Sequence, residues 1–175
     1  MRPRLALGLL LWPLWAGAQA LVDADRFFDP FLGDLGEELA QAREEGKRGV
    51  LLFFEQEECP FCRRMRRDVL NRREVQDWFR RHFRIIAIDI EGDVEIVDFQ
   101  GRPMREKDFA FRVHRVRATP VFLFYDLEGR PVVRYTGATS GIEEFLWLGQ
   151  YVVEEKYRDM PFTRYKRMRR ASGAQ

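Results

Sequence analysis

An apolar run, Val50-Leu51-Leu52-Phe53-Phe54, leads within five residues into Cys59-Pro60-Phe61-Cys62, and these are the only two cysteines in the chain. The run reads as a buried strand, and Arg63-Arg64-Met65-Arg66-Arg67-Asp68-Val69-Leu70 reads as a helix. A strand that delivers Cys-x-x-Cys to a helix start is the geometry of a redox site. Cys59 is placed near the N-cap. Pro60 takes the first helical position, where its missing N–H is no loss and its fixed φ suits the helix. The unpaired N–H groups and the positive end of the helix dipole favour a thiolate on Cys59. Only the thiolate attacks a disulfide, so Cys59 is the candidate nucleophile. Cys62, about one turn in, is expected to be less exposed and to resolve the mixed disulfide. Arg63, Arg64, Arg66 and Arg67 add a weaker pull that solvent screens.

Other uses of a cysteine pair fit less well. A structural disulfide closing so short a loop removes little unfolded-state entropy, roughly 2 kcal/mol in the chain-entropy picture. A zinc ribbon needs further ligands, and only His82 and His114 are available, without ligand spacing. Covalent haem attachment requires His after the second cysteine, where Arg63 stands. Two reduced, inert core cysteines suit a cytosolic protein, and the N-terminus argues against that address.

Met1-Arg2-Pro3-Arg4, an apolar stretch from Leu5 to Trp15 and Ala18-Gln19-Ala20 together describe a secretory signal peptide over residues 1–20, cleaved after Ala20. The stretch is too short to span a bilayer comfortably, and no cysteine follows it to accept a lipid. The mature protein is expected in an oxidising compartment, the bacterial periplasm. About 155 residues remain, enough for one domain with a sizeable core. Arg2 and Arg4 leave with the leader, so 28 basic residues face 28 acidic ones. A nucleic-acid partner is not implied. One cysteine pair in an exported chain, with no others, points to a working pair rather than a structural staple.

Along the domain, residues 21–160, Leu21 to Gly33 is expected to wrap the body. A helix follows from Asp34, with Leu35, Leu39 and Ala42 on one face and Gly46 ending it. Asn71 with Glu74 reads as the cap of a helix whose Val75, Trp78, Phe79 and Phe83 share a face. Arg84–Ile90 is a second buried strand, and residues 92–104 a small inserted hairpin or loop. A short helix over 106–114 is expected to bury Phe109, Ala110 and Val113, with His114 a surface or capping residue rather than a catalyst. Thr119-Pro120 heads the strand Val121–Tyr125, and Asp126–Arg130 turns it into Val132–Tyr135. Ser140 with Glu143 forms a capping box before a last long helix. Strands separated by helices are expected to run parallel, with the closing hairpin antiparallel. This gives an α/β fold: a mixed central β-sheet sandwiched by helices. The basic tail, residues 161–175, reads as a solvated terminal turn that frays.

The chain resembles the thioredoxin superfamily. The resemblance rests on Cys59-Pro60-Phe61-Cys62 at a strand-to-helix junction, on Thr119-Pro120 heading a strand, and on the strand-turn-strand-helix ending with Gly129 in its turn. It covers roughly Asp34 to Tyr157. Phe54-Glu55-Gln56, the insertion and the leader look like exported thioredoxin-like proteins of the SoxW type, which accompany periplasmic sulfur-oxidation systems. The resemblance implies a thioredoxin fold, a cis Thr119-Pro120 bond facing the cysteines, and substrate contacts from Pro60, Phe61, Thr119 and Pro120. Two departures stand out. Typical thioredoxins carry a buried Asp six residues before the nucleophile, where this chain has Phe53, leaving Glu55, Glu57, Glu58 or water as substitutes. The dipeptide between the cysteines is Pro-Phe rather than Gly-Pro.

The expected function is a periplasmic thiol–disulfide oxidoreductase, with Cys59 and Cys62 catalytic and no metal or organic cofactor. Its partners are a disulfide-containing protein substrate and a membrane thiol electron donor, and the protein is expected to be a monomer. A disulfide-forming oxidant of the same fold and a non-catalytic binding module are the alternatives.

Overall fold

The computed structural model describes residues 21–172, and the segment read as a signal peptide lies outside them. Strand β1 (Gly49–Glu55) is buried at every residue but its last. It pairs in parallel with β2 (Phe83–Asp89) and antiparallel with β5 (Val121–Tyr125), which pairs with β6 (Pro131–Thr136). The mixed sheet has the order β2-β1-β5-β6. A central strand with ladder partners on both edges and helices on both faces has no solvated side, which accounts for the unbroken apolar run.

Alternation along the strands splits the core. Leu51, Phe53, Ile85, Phe122 and Phe124 face one side, packed by α2 (Pro60–Met65), α3 (Arg73–His82), α5 (Ile142–Val153) and α6 (Phe162–Ser172). Val50, Leu52, Phe54, Ile86 and Leu123 face the other, packed by α1 (Leu35–Glu44) and the segment of α4 (Glu106–Asp108) that continues as a π turn, Phe109–Val113. Asp34 caps α1 through Gly36 N (2.7 Å) and Glu37 N (3.1 Å), and Leu35, Leu39 and Ala42 are its buried stripe, as their spacing predicts. Where α5 meets α3, a Cβ on Gly149 would lie 2.3 Å from the Trp78 ring, so only glycine allows this approach. The insertion is a hairpin of β3 (Glu95–Val97) and β4 (Pro103–Arg105), its turn held by Asp98.

Several local expectations are corrected. β5 runs antiparallel to β1 although helix separates it from β2. β1 and β2 end where β5 begins, at the same end of the sheet, so residues 90–120 pass over β1 without running back to the strands' other end. Arg72, not Asn71, is the N-cap of α3; the Asn71 carbonyl accepts Val22 N (2.8 Å), and no hydrogen-bond partner reaches its side-chain oxygen among the described residues. Ser140 bonds Glu144 rather than Glu143, and Gly141 caps α5. Val113 is exposed. His114 is a capping residue, as expected: it is the C-cap of the π turn, its N–H donating to the Phe109 carbonyl at 3.2 Å, and its half-buried ring is turned inward among Phe54, Phe109 and Tyr125. Phe162–Ser172 is a helix docked through buried Tyr165 and half-buried Phe162 onto Tyr151 and Tyr135, not a fraying turn.

Candidate functional site

β1 ends at Glu55, the loop Gln56–Glu58 turns outward, and Cys59 opens α2, which continues as a π turn over Arg66–Leu70. Met65, Val69 and Leu70 anchor this helix to the core, which fixes its N-terminus at the end of β1. Cys59 is the N-cap: its extended backbone lets Sγ accept Cys62 N–H at 3.0 Å, and Pro60 occupies the first turn. Cys59 and Cys62 are joined in a disulfide with Cα atoms 5.2 Å apart. Exposure does not distinguish the two sulfurs as expected, since Cys59 is 3 % and Cys62 2 % exposed. Position does: Cys59 receives the helix N–H, while Cys62 lies one turn in.

Val121 pairs with Phe54, so Pro120 and Thr119 lie at the end of the sheet where the cysteine loop begins. Thr119-Pro120 is a cis peptide bond. Thr119 Oγ1 donates to Gln56 Oε1 at 3.1 Å, tying this segment to the loop that presents Cys59. Pro120 is buried and Thr119 half-buried, whereas Pro60 is exposed and Phe61 is 57 % exposed. The Phe61 ring is thus presented to solvent beside the two buried cysteines.

The helix arginines are mostly spoken for. Arg66 gives Nε–H to Glu55 Oε2 at 2.8 Å, bonds Glu55 Oε1 through Nη2, and pairs with Asp25 at 2.6 Å. Arg67 forms a fork with Asp68, Arg63 donates to the Glu57 carbonyl, and Arg64 donates to the Thr139 carbonyl. The pull of these cations on the sulfurs is therefore offset at Arg66 and Arg67. Phe53, in the place of the acid found in typical thioredoxins, is fully buried, with its ring 5.0 Å from that of Phe122 and 5.6 Å from that of Phe28. Of the suggested substitutes, Glu57 and Glu58 are exposed, while the Glu55 side chain is 19 % exposed. A cleft of about 320 Å³ opens beside Cys62, lined by Glu55, Gln56, Glu57, Arg63, Arg66 and Asp89. The sequence places the two cysteines at the helix start, the resemblance brings Pro120 to them, and Glu55 is named beside Glu57, Glu58 and water; the Glu55–Arg66 fork, which joins residues eleven apart across a strand and a helix, is not anticipated. Among the described residues no cluster of His, Cys, Asp or Glu could hold a metal ion, and no helix is long and apolar enough to cross a membrane.

Fold and site together define a thioredoxin-fold protein with a disulfide-bonded Cys-x-x-Cys at a helix start and a cis-proline at the same end of the sheet. The chain belongs to the family described as the thioredoxin-like domain, whose model matches residues 35–153. By sequence, no curated protein matches it. Among solved structures it is similar to a thioredoxin-fold protein from Helicobacter pylori, with a TM-score of 0.59 and 19 % identity over 81 % of this chain and 91 % of that one. A DsbH oxidoreductase matches with a TM-score of 0.56 and 16 % identity, over 85 % and 95 % of the two chains. A putative disulphide-isomerase from Bacteroides thetaiotaomicron matches with a TM-score of 0.58 and 26 % identity, over 78 % and 98 %.

Proposed function

We propose that this protein is a periplasmic thiol–disulfide oxidoreductase that reduces disulfides in proteins, or in sulfur groups carried on proteins. The observation that carries this reading is the Cys59–Cys62 bond at the mouth of α2, with Cys59 Sγ accepting a helix N–H at 3.0 Å. When the bond is reduced, that N–H and the helix dipole stabilise a thiolate on Cys59. The thiolate attacks a substrate disulfide, the substrate chain lying beside Pro60, Phe61, Thr119 and Pro120. Cys62 then attacks Cys59 Sγ, the reduced product leaves, and the enzyme is left oxidised. The solved putative disulphide-isomerase at 26 % identity supports this class of chemistry.

The leader read at residues 1–20 sends the protein to the periplasm, where a reductase needs electrons from a membrane thiol carrier. The likeness to SoxW-type proteins suggests a sulfur-oxidation setting. The test is reduction of a protein disulfide by the dithiol form. Cys59→Ser abolishes it and Cys62→Ser accumulates mixed disulfide; turnover retained in Cys59→Ser ends the proposal. Equilibration with glutathione fixes the direction. A potential near about −270 mV belongs to a reductase and one near about −120 mV to an oxidant, while failure to exchange at all leaves a binding module.

A further inference from the structure

Release of the captured product requires the Cys62 thiol to lose its proton, and the core around Phe53 offers no group to take it. Phe53 is fully buried, enclosed by Phe28 and Phe122. Two residues further along, on the same side of β1, Glu55 ends the strand beneath α2. Glu55 and Cys62 line the same cleft of about 320 Å³, which is wide enough to admit water. Arg66 stands four residues after Cys62, hence on the same helix face, and reaches back to both oxygens of Glu55. The guanidinium is itself fixed by Asp25 at 2.6 Å and by stacking over Phe28 at 4.6 Å. A fork of this kind sets a carboxylate in one orientation, and each oxygen keeps a lone pair free.

We propose that Glu55, oriented by Arg66, is the proton acceptor for Cys62, acting through water in the cleft the two residues share. The assignment rests on the thiol–disulfide chemistry proposed above. In the mixed disulfide the Cys62 proton passes through water to Glu55. The Cys62 sulfur attacks Cys59 Sγ, the Cys59–Cys62 bond forms, and the bond from Cys59 to the substrate sulfur breaks. The electron pair leaves on that substrate sulfur, which takes the proton back from Glu55. Protons and electrons balance: the substrate disulfide is reduced and the enzyme dithiol oxidised.

The other charges bordering the cleft are placed less well. Glu57 is exposed on the loop, and its carbonyl holds Arg63. Asp89, which pairs with Glu55 in the strand register, takes the Glu91 N–H on its Oδ1, and Glu106 packs beside it. Asp25 is turned to the outer side of Arg66, with its side chain 81 % exposed. Glu58 does not line the cleft.

Acid-quenched single turnovers with a disulfide peptide separate capture by Cys59 from release by Cys62. Glu55→Gln leaves capture within about twofold and slows release about 100-fold at pH 6. The gap closes by pH 9, where solvent ionises the thiol unaided. Glu55→Asp restores part of the rate, and Arg66→Met gives the same pH-dependent slowing with the carboxylate present but unheld. A purely electrostatic role has the opposite sign, because removing an anion beside a forming thiolate speeds release. Faster or unchanged release in Glu55→Gln, or slowing by one factor at every pH, overturns the assignment. If Glu55→Gln fails to fold, the pH profile of Arg66→Met decides by the same criterion. Absence of capture in the native protein sinks the proposed function itself, a separate outcome.

Discussion

The phenol of Tyr125 on β5 and Nε2 of His114 share a hydrogen bond of 2.7 Å, closed in by the rings of Phe54 and Phe109. Burial lowers the imidazole to about 4, with Arg134 adding to the effect and Asp98 opposing it. The unfolded histidine titrates near its ordinary value of about 6.5. Between that pH and about 4 the unfolded chain binds a proton that the folded one refuses, so stability falls as the pH falls. Urea unfolding should show a loss of about 1–2 kcal/mol from pH 7 to pH 5 at this group. Burial also raises Glu38 and Glu106, which bind protons more readily in the folded state and oppose the trend. The comparison that isolates His114 is with His114→Phe, in which this loss disappears. An equal pH slope in both proteins contradicts the account.

Restoring an acid at position 53 should fail as a repair. Phe53 is packed between aromatic rings in the sheet core, and the guanidinium near it, Arg66 with Cζ 5.9 Å from the ring centroid, is already committed to Glu55 and Asp25. Phe53→Asp deletes the ring and buries an unpaired carboxyl, a loss of about 4 kcal/mol or more. The measurement is the denaturant midpoint, together with release kinetics if the variant folds. A Phe53→Asp protein as stable as the parent would mean that the core at this point is more open than its packing indicates.

The sheet and the cysteine loop were legible because their signals are local: an unbroken apolar strand, a proline at the first helical turn, a glycine in the β5–β6 turn. Thr119-Pro120 became meaningful only through resemblance, since no local pattern brings it to the cysteines. That step needs the register in which Val121 faces Phe54. Tertiary competition accounts for the misses. Asn71 has the right neighbours for a cap, but its carbonyl holds Val22 and the Gln76 side chain satisfies the carbonyls of Asp23 and Leu70, so the helix starts one residue later. Residues 162–172 look solvated by composition, but Tyr165 and Phe162 pack the segment onto the core. The π turns at 66–70 and 109–113 answer to packing depth, which no periodicity in the chain reports.

Helix α6 is held by charge as well as by rings. Glu144 on α5 is 4 % exposed and accepts from Lys166 at 2.8 Å, from Tyr135 at 3.0 Å and from Ser140. Burial pushes its carboxyl up, but these hydrogen bonds outweigh burial and keep it below the ordinary range. Lys166→Met strands a buried anion. With the two hydroxyls and Arg170 still nearby, the loss should be about 2–3 kcal/mol. Limited trypsin digestion should then remove the C-terminal helix much faster than in the parent, while the Glu144→Gln, Lys166→Met double variant recovers part of the stability. Equal digestion rates would show that Tyr165 and Phe162 hold α6 without the ion pair.

Phe61 separates recognition from chemistry. It stands between the two cysteines with 57 % of its surface open to solvent, so its ring adds little to the fold, and Phe61→Ser should change stability by no more than about 0.5 kcal/mol. Full burial of a phenylalanine side chain is worth about 1.5–3 kcal/mol, and roughly half of that remains available to a partner that covers the exposed part. In the proposed reductase, kcat/KM for a protein disulfide should therefore drop about 5- to 10-fold in Phe61→Ser. A small aromatic disulfide, too short to cover the ring while engaging Cys59, should be reduced at nearly the parent rate. The contrast carries the inference: equal losses on both substrates would mean that Phe61 acts on the cysteines themselves, through the helix start, rather than on the chain they receive.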